Sequence, residues 1–71
     1  MKILKKFIKI ISLRNKIAEK INLPKNWVLS DKEIIKNIKN DKISIYSKNL
    51  KNNEIIKITK LIEDFKKIYK N

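Results

Sequence analysis

Asn22-Leu23-Pro24-Lys25-Asn26-Trp27-Val28-Leu29-Ser30-Asp31-Lys32-Glu33-Ile34 decides how this chain folds, because it carries a helix end, a loop and a helix start in succession. Its last part matches a capping box, in which Ser30 accepts from the amide of Glu33 while Glu33 reaches back to the amide of Ser30. Leu29 and Ile34 fall at the two positions of a hydrophobic staple across that cap. Ile34, Ile35 and Ile38 then face inward, and Asn40-Asp41 closes a helix over 31–40. The first part ends the preceding helix, since Asn22 suits a left-handed cap and the residue before Pro24 is pushed out of helical geometry. Residues 22–30 are read as a Pro loop.

Working outward, Ile3, Phe7, Ile10, Ile17 and Ile21 form one apolar row, and Leu4, Ile8, Ile11 and Ala18 a neighbouring one, predicting a helix over 2–21. From Glu54 the rows Ile55, Ile58, Ile62, Phe65, Tyr69 and Leu61, Phe65, Ile68 predict a long amphipathic helix over 54–70. Between them the pattern is weak, and Ser44 is taken as the cap of a short helix over 44–51 carrying Ile45, Tyr46 and Leu50. With no Gly and a single Pro, hairpin turns lack their usual residue. The expected architecture is all-α, one domain over 1–71, a compact bundle of four to five short helices.

At 71 residues with no Cys and no His, the chain has neither disulfides nor the commonest transition-metal ligands, so packing alone must hold it together. Its 42% apolar content is sufficient for a small core, and no apolar run exceeds Trp27-Val28-Leu29, which excludes a transmembrane reading. Lysines interrupt the apolar residues of the opening stretch too often for a secretory signal, so a cytoplasmic protein is expected. Nineteen basic against 7 acidic residues give +12, which points toward polyanions. Lys, Ile and Asn supply 43 of the 71 residues, the bias of an A/T-rich genome, and this accounts for part of the lysine but less well for the scarcity of acids.

Lys2, Lys5, Lys6, Lys9, Lys16 and Lys20 lie opposite the apolar rows of the first helix, a cationic ridge with only Glu19 nearby. Lys25, Lys32 and Lys36 extend it toward the second helix. Such a ridge suits phosphates, or it is a solvated face in a lysine-rich protein; lysine gives point charges, so little sequence specificity is expected. Trp27, beside Lys25 and Asn26, either stacks on an unpaired base or packs over the loop and second helix; the second is preferred because tryptophan is usually largely buried. Tyr46 and Tyr69 are read as core edge. Arg14 falls close to the apolar side of the first helix, where a charge requires a partner. A phosphate contact is one reading; a clasp to Asp31 or to carbonyls of the Pro24 loop explains position and companion acid together and is preferred.

Catalytic residues are expected to be none. The seven carboxylates are scattered among lysines, Glu63-Asp64 sits beside Lys60 and Lys67 as a surface pair, and no glycine loop is present to cradle a phosphate. No metal and no cofactor are expected, for want of clustered ligands.

The residues around the first turn resemble a known family. Leu13-Arg14-Asn15-Lys16-Ile17-Ala18-Glu19-Lys20, then Asn22-Leu23-Pro24-Lys25-Asn26-Trp27-Val28-Leu29-Ser30-Asp31 and Ile34-Ile35, resemble the HRDC domain found at the C-terminal ends of ribonuclease D and RecQ-type helicases. The pattern is met by Arg14, Ala18, Pro24, Val28, Leu29, Ser30 and Asp31, over residues 13–38, and the Pro loop looks most like the ribonuclease D branch. Leu13 stands where the family often has Trp, and its proline before the third helix is absent around Asp41-Lys42-Ile43. The resemblance implies a small helical bundle that binds RNA or single-stranded DNA weakly, as a non-catalytic accessory to a separate catalytic domain, a ribonuclease D-like 3'-5' exonuclease or a helicase. A protein-protein interaction domain of such an enzyme is the alternative. Membrane association through the cationic first helix ranks lowest, and no membrane partner is expected.

Overall fold

The computed structural model describes the backbone of residues 2–70 and the side chains of residues 5–68. The side chains of Lys2, Ile3, Leu4 and Tyr69 named above lie outside the described residues. Within them the chain forms four helices and no strand: α1 Lys2–Ile21, α2 Lys25–Val28, α3 Asp31–Lys39 and α4 Asn52–Lys70. The radius of gyration is 11.6 Å, close to the roughly 11 Å expected of a packed chain of this length.

The core is built by α1 and α4, which pack together, with α2 against α1 and α3 against α4. Ile10, Ile17 and Ala18 of α1 meet Ile58, Ile62 and Phe65 of α4, and Val28, Leu29, Ile34, Ile38 and Leu50 complete the buried cluster. Phe7 near the start of α1 lies on Phe65 near the end of α4, with centroids 6.0 Å apart and rings tilted by 58°. The two long helices therefore run antiparallel, and the apolar face of α1 is occupied by α4. Three isoleucines expected to face inward do not: Ile8, Ile21 and Ile35 are exposed. Ile8 and Ile35 fall on the flanks of the buried stripes, and Ile21, the last residue of α1, lies past the last buried position, Ala18. The stripe α1 buries is Ile10, Arg14, Ile17 and Ala18, a spacing of three and four residues that leaves Ile8 on a flank. On α3 the same register buries Ile34, Asn37 and Ile38 and turns Ile35 out.

Helix ends follow the local chemistry of the sequence. Asn22 takes φ 57, and the amides of Asn22 and Leu23 bond the carbonyls of Glu19 (3.2 Å) and Ala18 (3.0 Å), which is a Schellman closure of α1. Ser30 caps α3, its hydroxyl accepting from the Glu33 amide at 3.1 Å, while the expected return bond from the Ser30 amide to the exposed Glu33 carboxylate is not formed. Ser30→Ala is expected to lower stability by about 1 kcal/mol, read as a lower denaturant midpoint with an unchanged slope. α4 begins two residues before the position expected from Glu54: the Glu54 carboxylate accepts from the Lys51 amide at 2.8 Å, and the amides of Glu54 and Ile55 bond the Lys51 carbonyl.

Two expectations about the connections are corrected. Residues 22–30 contain α2, a single turn stabilised by bonds from Trp27 N to Pro24 O and from Leu29 N to Lys25 O. Residues 44–51 hold no helix. The segment 43–47 is extended, with Ile43, Ile45 and Ser47 half-buried and Ser44 and Tyr46 exposed, the period-two alternation of a strand-like strap. Ser44 caps nothing; its amide is held by the Asn37 side chain at 2.6 Å. Tyr46 is accordingly not a core-edge residue but 91% exposed.

Candidate nucleic-acid interface

Arg14 organises the junction of α1, α2 and α3. Its residue is only 1% exposed, and all three arms of the guanidinium are used. Nε donates to Asn15 Oδ1 at 2.7 Å, Nη1 to the Leu29 carbonyl at 2.5 Å and Nη2 to Asp31 Oδ1 at 2.7 Å. Both partners considered for a clasp, Asp31 and a carbonyl of the loop, are thus engaged at once. The burial of Arg14 removes it from any surface that a phosphate reaches. The hydrogen bond from Arg14 lowers the Asp31 carboxyl from its ordinary value, against the opposing effect of burial and with help from the charges of Arg14 and Lys25.

Around this clasp the cationic residues remain in solvent. Lys5, Lys9, Lys16 and Lys20 are exposed along α1, and Lys6 is half-buried. From Lys5 to Lys20 the ridge extends about 22 Å at the rise of an α-helix. Among the described residues no carboxylate pairs with Lys5, Lys9, Lys16 or Lys20. Lys25, Asn26 and Trp27 are exposed on α2, and Lys32 and Lys36 on α3. The two lysines of α3 stand on a separate helix that meets α1 at the Arg14–Asp31 contact. Trp27, expected to pack over the loop, is 64% exposed. The single turn of α2 and the residue that caps it spend the inward positions on Val28 and Leu29, at 1% and 4% exposure, and so turn the indole outward.

The strap is fastened by residues that the sequence reading passed over. Asn37 is 3% exposed; its amide donates to the Glu33 carbonyl at 2.9 Å while its oxygen takes the Ser44 amide. Asn49 donates to the Trp27 carbonyl at 2.8 Å, and its own amide bonds Ser47 Oγ at 3.2 Å. Lys66 of α4 reaches the Asn40 carbonyl and, at 3.5 Å, that of Asp41, which closes the end of α3. Asn37 was detectable as a polar residue inside the apolar row Ile34, Asn37, Ile38, where an amide requires partners. Nothing in the sequence marks Asn49 or Lys66 among so many asparagines and lysines.

Among the described residues no group of His, Cys, Asp or Glu is arranged to hold a metal ion, and no helix is long and apolar enough to cross a membrane. No family model matches the chain, and no curated protein and no solved structure is similar to it.

Proposed function

We propose that this chain is an accessory nucleic-acid-binding module of HRDC type, a non-catalytic cytoplasmic domain that docks RNA or single-stranded DNA for a ribonuclease D-like or helicase catalytic domain. The reading is carried by the exposed row Lys5, Lys9, Lys16 and Lys20 on α1, none of which is tied up in an ion pair among the described residues. A polyanion laid along that row releases counterions without breaking any internal ion pair. The clasp of Arg14 with Leu29 and Asp31 gives a physical role to the residues on which the HRDC resemblance rests. Because α4 covers the apolar face of α1, lipid has no comparable face to engage there.

Mechanistically the module supplies affinity without base reading. Lysine ammoniums meet phosphates as point charges, and binding in the range of about 10⁻⁴ to 10⁻⁶ M is expected at physiological salt. Titration of a labelled single strand at two salt concentrations tests this directly. Affinity should fall as salt rises, and the double variant Lys9→Glu, Lys16→Glu should reduce the slope of log K against log salt by about one unit per lost phosphate contact. Absence of binding at low salt overturns the proposal. The exposure of Trp27 supports the alternative, a protein-interaction domain. Trp27→Ala that abolishes capture of a cognate catalytic domain, with strand binding unchanged, selects that reading.

A further inference from the structure

The extended strap leaves Tyr46 in an unusual setting. Its ring is 91% exposed, yet its backbone is pinned on both sides. Two residues before it, the Ser44 amide is bound by buried Asn37. Three residues after it, Asn49 is tied to Ser47 and to the Trp27 carbonyl of α2. The alternation of the strap puts Ile43 and Ile45 toward the core with Ser47 half-buried, which turns the Tyr46 ring, between Ile45 and Ser47, outward. Tyr46 forms one wall of a groove of about 560 Å³ whose other walls are Glu33, Lys36, Asn37, Asn40 and Ser44.

We infer that this groove is a subsite for one unpaired nucleobase, with Tyr46 as the stacking platform, Lys36 as the contact to an adjacent phosphate and Glu33 as acceptor for an exocyclic amino group. The inference rests on the nucleic-acid reading and deepens it, because it names the ligand as an unpaired strand in preference to a duplex. The occupant follows from the chemistry of the walls. An aromatic face held at a fixed backbone position accepts any flat base, since every base has a π-face. An ammonium and a carboxylate on successive turns of α3, at Lys36 and Glu33, provide a cation for the backbone and an anion for a donor edge. Both amide atoms of Asn37 are already engaged by the backbone, so it forms a rigid floor of the groove. A duplex keeps its bases stacked on each other and gives the ring no face to cover.

The test is a titration at low salt of labelled oligo(dA), single-stranded and paired with its complement, against the intact chain and its variants. Tyr46→Ala is expected to weaken single-strand binding about tenfold, the loss of one stacked base, with duplex binding, melting temperature and salt slope unchanged. Tyr46→Phe, which keeps the ring, should bind as the parent chain does. If Tyr46→Ala binds the single strand as tightly as the parent, or loses single strand and duplex equally, the subsite is overturned. In either case a weakened Lys9→Glu, Lys16→Glu variant leaves the lysine ridge standing. If the parent chain binds neither probe, the ridge reading falls and the subsite falls with it.

Discussion

Arg14→Ala is expected to lower the unfolding free energy by about 3 kcal/mol. Three losses combine. The largest fully buried side chain among the described residues disappears, leaving a cavity at the junction of α1, α2 and α3. The Leu29 carbonyl, on a residue only 4% exposed, loses its donor, and an orphaned buried acceptor costs about 1–3 kcal/mol. Asp31 loses its cation but is little affected, because its side chain is 57% exposed and water replaces the guanidinium. The damage therefore sits on the Leu29 side of the clasp. Asp31→Asn, which keeps an acceptor for Nη2, should cost less than about 1 kcal/mol. For a domain whose total stability is of order 4–10 kcal/mol, the Arg14 variant melts about 12–24 °C lower. Loss of nucleic-acid binding with an unchanged melting temperature would contradict this account and return Arg14 to the surface.

The same clasp fixes a pH dependence. The folded Asp31 carboxyl lies below its ordinary value, so the unfolded chain takes up the proton first as pH falls. The contribution of the pair is fully present above that unfolded value and is lost as pH drops through the lower, folded one. Between neutrality and about pH 4 the parent chain and Asp31→Asn should differ by a constant amount, and the difference should shrink below.

Ile62→Ala is expected to cost about 3–4 kcal/mol, the second large effect. Ile62 and Ile58 are fully buried where α4 meets α1, whereas Ile56 on the same helix is 56% exposed. The abundance of isoleucine makes the comparison clean, because one substitution can be moved along one helix while only burial changes. Ile56→Ala should fall within about 0.5 kcal/mol of the parent. Chemical denaturation of the pair measures the difference, and equal losses at both positions would mean that α4 does not present this face to α1.

Those two predictions mark how far the sequence was legible. The Ser30 cap, the stop at Asn22-Leu23-Pro24 and the apolar rows of the long helices each depend on interactions within about four residues, and the helical class follows from them. The position of Arg14 beside an apolar row also announced a buried cation in need of partners. What escaped was set by contacts distant in sequence. Asn37 reaches Ser44, Asn49 reaches Trp27 and Lys66 reaches Asn40, and together they hold residues 43–47 extended where a weak local pattern suggested a helix. Trp27 and Tyr46 were misplaced for a related reason. Average burial argued that aromatic rings go inside, but α2 and the strap had inward positions only for Val28, Leu29, Ile43 and Ile45.

Asn22, at φ 57, is the only residue with positive φ among those described, in a chain that has no glycine at all. A side-chain amide tolerates left-handed geometry better than any other β-carbon-bearing group, so this one corner stays open without the residue that normally occupies it. A topology of tight hairpins needs several such corners and would lose its turns if every GGN codon eroded. A helical bundle with a single left-handed corner can tolerate that erosion to completion, and its architecture thereby permits a protein to survive an extreme nucleotide bias.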